Sequence, residues 1–130
     1  MQRMWQRPWS VSVAHEMEYR ASFYAGALEG TSRLAQLASA LSVEVDSGTL
    51  SALMRAELMA RQRRLHGAST RTAEDGIHLS GFEYAIGQIP STASAVSAVE
   101  IVRRAISLKV EPWATRRPTF EEWLNVQPPR

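Results

Sequence analysis

The sequence predicts an all-α protein, a small bundle of about four main helices flanked by aromatic arms at both ends. Three observations carry this. Apolar residues recur at spacings of three and four through most of the chain. Cap residues, glycines and prolines fall at the ends of those runs. The one stretch with strand-like alternation, Ile106-Ser107-Leu108-Lys109-Val110, has no obvious mate and is read as helix. At 130 residues, the chain is sized for a single domain. The division is an N-terminal arm over 1–12, a helical core over 13–110 and a C-terminal arm over 111–130 that contains a short helix.

The N-terminal arm holds Trp5 and Trp9 around Arg7-Pro8. Indole rings carry large apolar areas and need something to pack against. The first helix is expected from Ser12 to about Leu41, with Ser12 as cap and Glu16 in the first turn. Its apolar stripe is Met17, Ala21, Tyr24 and Leu28, then Leu34, Leu37, Ala38 and Leu41. Gly26 and Gly30 interrupt that run at a cost of up to about 1 kcal/mol each. Unbroken, the helix would reach roughly 45 Å at 1.5 Å per residue. It therefore either breaks near Gly30 or overhangs onto a partner.

Asp46-Ser47-Gly48 signals a turn and cap, and a second helix follows over about 49–66. Its core face is Leu50, Met54, Leu58 and Leu65, with Leu53 beside them, and Glu57 and Arg61 form an i,i+4 pair. Gly67 closes it. Residues 68–79 read as a polar loop. Ser80 and Glu83 then form a capping box over a short helix with Phe82, Ala85, Ile86 and Ile89 inside, ended by Pro90. A fourth helix over about 92–108 has one narrow polar stripe, Ser97, Glu100, Arg104 and Ser107, and is expected to be central, covered on several sides. In the C-terminal arm Thr119 and Glu122 form a capping box over the last short helix.

Composition narrows function. Cysteine is absent, which excludes disulfide frameworks, thiol catalysis and thiolate-bound metal. The net charge of +2 is too small for a polyanion-coating protein. Lys109 is the only lysine against 14 arginines, a balance that suits a GC-rich bacterial genome. The first residues lack an apolar signal core, and no stretch is long and apolar enough to span a bilayer, so a cytoplasmic location without membrane contact is expected.

Catalytic signatures are missing. There is no phosphate loop, nucleophile elbow or dinucleotide fingerprint. His15-Glu16 begins like a zinc helix, but Tyr19 stands where the second imidazole belongs. Glu74, Asp75, His78 and Glu83 have the residue types for acid–base work, without a spacing that fixes their geometry. Accordingly the reading is of a protein without catalysis, metal, cofactor or small-molecule substrate.

Two short runs resemble known signatures. Leu37-Ala38-Ser39-Ala40-Leu41-Ser42-Val43 followed by Thr49-Leu50-Ser51 resembles the helix-turn-helix of bacterial repressors. Ser42 replaces its turn glycine, and the connection is two residues longer. The resemblance implies that Ser47, Thr49, Ser51 and Arg55 face the DNA major groove. Leu28-Glu29-Gly30-Thr31 is similar to the inhibitory-helix signature of proteins that restrain Fic AMP-transferases, with Ala25 where that signature has Ser or Thr. That likeness implies a glutamate, here Glu29, directed at an ATP-phosphate site.

The functional reading rests on residue types enriched in binding hot spots, tryptophan and arginine. The expected partner-binding residues are Trp5, Trp9, Trp113, Arg116, Arg117, Phe120 and Trp123. They predict an adaptor, inhibitor or regulator of a bacterium or phage that binds another protein, including a second copy of itself as a homodimer. The alternative is a DNA-binding regulator using Arg55, Arg61, Arg63 and Arg64.

Overall fold

The computed structural model describes the backbone of residues 6–41, 45–69 and 72–119, with side chains from residue 13 onward. The architecture is an all-α small bundle. Its elements are α1 (Gln6–Ala40), α2 (Ser47–Gly67), α3 (Ala73–Gly87), α4 (Ala95–Ala105), a π-helical turn (Ile106–Val110) and α5 (Glu111–Thr115). Among the described residues there is no strand, only an antiparallel bridge between Asp46 and Ser94. That bridge ties the approach to α2 to the approach to α4, with the Ser47 N–H donating to the Ala93 carbonyl at 2.9 Å. No helix among the described residues is long and apolar enough to cross a membrane.

α1 is unbroken. Its 35 residues extend about 52 Å at 1.5 Å per residue, and it packs against each of the other helices. It begins earlier than Ser12, so 6–12, expected as an arm, is helical backbone. Gly26 and Gly30 do not bend it. They let α3 come close. A methyl on Gly26 would overlap the His78 carbonyl group, with 2.7 Å to its carbon, and one on Gly30 would meet the Ala85 Cβ at 2.9 Å. Gly81 answers from α3, where a methyl would sit 2.8 Å from the Ala27 nitrogen and 2.9 Å from the Phe23 carbonyl carbon. Glycine on both sides of the crossing brings the two backbones into near contact.

The buried face of α1 is also displaced from the expected stripe. It runs through Val13, Glu16, Arg20, Phe23, Ala27, Thr31 and Leu34, while Ala21 and Leu28 face out. The difference arises because two charged residues belong to the interior. Arg20, 1% exposed, bonds the buried Glu16 carboxylate at 3.2 Å and donates to the Trp113 carbonyl at 2.7 Å, with its guanidinium 4.8 Å from the Trp113 ring centre. A desolvated ion pair survives only with such partners on all sides.

α2 begins where Asp46 accepts the Thr49 N–H at 2.9 Å, and it buries Leu50, Met54 and Leu58. α3 starts well before Ser80. Thr72 and Asp75 exchange the two bonds of a capping box, so the expected loop over 68–79 is mostly helix. Ser80 lies inside α3, its hydroxyl donating to the Gly76 carbonyl at 3.0 Å. α4 is capped by Ser94, which accepts from the Ser97 N–H at 3.2 Å.

α4 buries one side only, through Ala95, Ala98, Val99 and Val102. Val96, Ile101 and Leu108 remain outside, so the helix is not covered on several sides as its composition suggests. Beyond it, buried residues recur at every fourth position: Ala98, Val102, Ile106, Val110 and Ala114. On an α-helix each step of four advances the face by about 40°. The π turn restores the phase, with the Glu111 N–H donating to the Ile106 carbonyl five residues back. Pro112 supplies the physical reason: it has no N–H for the Leu108 carbonyl, and its ring would press on that group in a regular helix. The chain thereby carries Trp113 and Ala114 inward as part of α5, in the core rather than in a free arm.

Candidate interaction surfaces

The expected hot-spot residues divide into two groups. Trp113 is 7% exposed and packs edge-on to Phe23 and Tyr19, at centroid distances of 5.5 and 6.2 Å. It closes the end of the core and is not an accessible anchor, which corrects its assignment to partner binding. Arg116 and Arg117 are exposed just past α5. Trp5, Phe120, Trp123, the Trp9 side chain and the box expected between Thr119 and Glu122 lie outside the described residues.

The arginines expected to grip nucleic acid also separate. Arg61 is turned inward. It bonds Glu29 of α1 at 2.9 Å, approaches Glu57 at 3.6 Å and lies 4.3 Å above the Phe82 ring centre. Glu57 in turn accepts from Arg33 at 2.6 Å, and Glu29 bonds the His78 ring. A chain of alternating charges thus links α1, α2 and α3. The His78 hydrogen bond, and after it Arg61, holds the Glu29 carboxyl below its ordinary value despite the opposing effect of burial. The glutamate–glycine pair that resembles an inhibitory signature is therefore engaged within its own fold, through an ion pair and a close backbone crossing.

Arg55, Arg63 and Arg64 are exposed on the outer side of α2. Ala52, Leu53, Ala56 and Met59 share that side, Met59 at 56% exposure. The only carboxylate within α2, Glu57, points the other way to Arg33 and Arg61. The outer side of α2 is thus basic around an apolar centre, with no acid of its own helix upon it. The residues aligned with a recognition helix do not form one outward row. Ser47 is fully buried, and the Thr49 hydroxyl is bonded to Asp46 at 3.1 Å. Ser47 cannot reach a DNA groove from there.

The acid–base residue types around His78 do not converge. Asp75 caps Thr72, His78 turns to Glu29, and Glu74 and Glu83 are exposed. Among the described residues no group of three or more His, Asp or Glu side chains is placed to hold a metal ion. The outer side of α4 was missed by sequence reading. It carries Val96 at 74%, Leu108 at 68% and Ile101 at 45% exposure around Glu100 and Arg104. The signal was present in the alternation of large apolar residues with Glu and Arg, but it was taken for a fully covered helix. The chain matches no protein-family model, no curated protein and no solved structure.

Proposed function

We propose that this is a protein-binding module, an adaptor, inhibitor or regulator, whose partner docks on the outer face of α2. The observation that carries the reading is the exposed Leu53–Met59 strip with Arg55, Arg63 and Arg64 around it and no carboxylate of α2 on that side. An amphipathic helix with an apolar stripe and acidic flanks is the complement of such a face. Ala52 and Ala56 leave room for its backbone to approach. Nucleic acid is the second reading, favoured by the same three arginines. With Arg61 held by two glutamates it retains few phosphate contacts.

Fluorescence anisotropy separates the two. A labelled synthetic helix with leucines on one face and glutamates beside them is titrated with the full chain, in parallel with a short labelled DNA duplex. The expected outcome is saturable binding of the peptide that Met59→Glu and Arg63→Glu each weaken about tenfold or more. Salt-steep binding of the duplex with none of the peptide would replace this reading with the nucleic-acid one. Binding of neither would remove the α2 face as a docking site.

A further inference from the structure

We propose that the outer face of α4 pairs with the same face of a second copy of the chain, antiparallel and about a two-fold axis. The charge pattern points to this occupant. Glu100 and Arg104 stand one turn apart on the exposed side, near the middle of the strip bounded by Val96 and Leu108. Two such helices laid antiparallel about a point between residues 100 and 104 bring Glu100 of each against the partner's Arg104. Every such contact then occurs twice, as a self-complementary two-fold interface requires. Ile101, beside the axis, lies against its own counterpart.

Glu100 already bonds Arg103 at 2.6 Å along the same helix, which steadies its carboxylate without covering it, both side chains remaining more than half exposed. Val96 also borders a groove over Ala35 and Ala38 of α1, which widens the apolar footprint. A parallel arrangement would set like charges face to face and lose this pairing.

The footprint is modest. From Val96 to Leu108 the helix rises about 18 Å, and a helix with its side chains is about 10 Å wide. That is well below the ~800 Å² per partner of a tight complex, so the dimer is a weak one with dissociation in the micromolar range or above. This surface is separate from the α2 face, and either proposal can fail without the other.

Sedimentation equilibrium of the full chain from about 10 μM to about 1 mM tests it. The expected mass rises with concentration from 14.5 kDa toward about twice that value. Glu100→Arg and Arg104→Glu each weaken association about tenfold or more, and the double exchange restores it, since the pair is remade with its signs reversed. The α2 variants Met59→Glu and Arg63→Glu leave the dimer unchanged. All four residues are exposed, and far-UV circular dichroism checks that each variant keeps its helices. A chain monomeric throughout overturns the proposal. So does a dimer indifferent to both charge reversals, or one that the double exchange fails to restore.

Discussion

A methyl group added at Gly81 would invert the usual rule for glycine in helices. In an open helix, glycine to alanine stabilises by up to about 1 kcal/mol, because the unfolded chain loses freedom and the helix gains a better former. At Gly81 the new carbon would lie 2.8 Å from the Ala27 nitrogen and 2.9 Å from the Phe23 carbonyl carbon. Ordinary contacts begin near 3.4 Å. Both obstacles are backbone, so no rotamer change relieves them, and α1 and α3 must separate by at least about half an ångström at the crossing. A gap of that size costs the surrounding atoms a quarter or more of their dispersion attraction. Phe23, Ala27, Phe82 and Ala85 are all buried there. Overpacking of this kind costs about 3 kcal/mol at its upper end. After the propensity gain, Gly81→Ala is expected to lose about 2 kcal/mol, or roughly 8 °C in Tm for a chain of this size. Gly76 lies on the same helix with nothing within 4 Å of an added methyl. Gly76→Ala is expected to be neutral to stabilising, by up to about 1 kcal/mol. Urea unfolding followed by circular dichroism gives both values. A Gly81→Ala protein as stable as the parent would refute the reasoning, because it would mean that the two backbones are not in near contact.

Two further outcomes follow from the charged residues. Arg20→Met keeps the volume but strands the buried Glu16 carboxylate and the Trp113 carbonyl, and is expected to cost about 3–5 kcal/mol in urea unfolding. Adding Glu16→Gln should recover part of that loss, and an unchanged midpoint for Arg20→Met would show that the pair is not needed. Glu29 has a folded pKa below its ordinary 4.5, so its contribution is present above that value and fades as pH falls through the folded one. Stability measured from pH 7 down to pH 3 should fall in that acid range, less steeply in Glu29→Gln; identical acid limbs would remove the Glu29–His78–Arg61 link as a cause.

Much of the fold was legible because it follows from spacing. The Leu50-Met54-Leu58 face and the Asp46 cap of α2 are where the periodicity puts them. So are the Phe82-Ala85-Ile86 face of α3 and its end before Pro90. The errors share a cause: residue type was weighed without its partner. Glu16 and Arg20 read as solvent-facing alone, and only their mutual bond and the Trp113 carbonyl make them interior. Gly26 and Gly30 read as interruptions because Gly81, which complements them across the crossing, lies some fifty residues away in sequence. Ser80 and Glu83 matched a capping box, yet Thr72 and Asp75 formed one earlier and turned most of an expected loop into helix. Of the candidate surfaces, the exposed arginines of α2 were visible, but Arg61 could not be told from its neighbours until Glu29 came within 2.9 Å.

The widened turn at 106–110 sets a rule for how this chain tolerates change. Ser107, Leu108 and Lys109 stand in water, so replacing their side chains leaves the interior untouched. Removing any one of them is a different event. It would swing everything downstream by about 100° around the axis, lifting the Trp113 indole off Phe23 and the Ala114 methyl out of the core. What this stretch conserves is a count of residues rather than their identities.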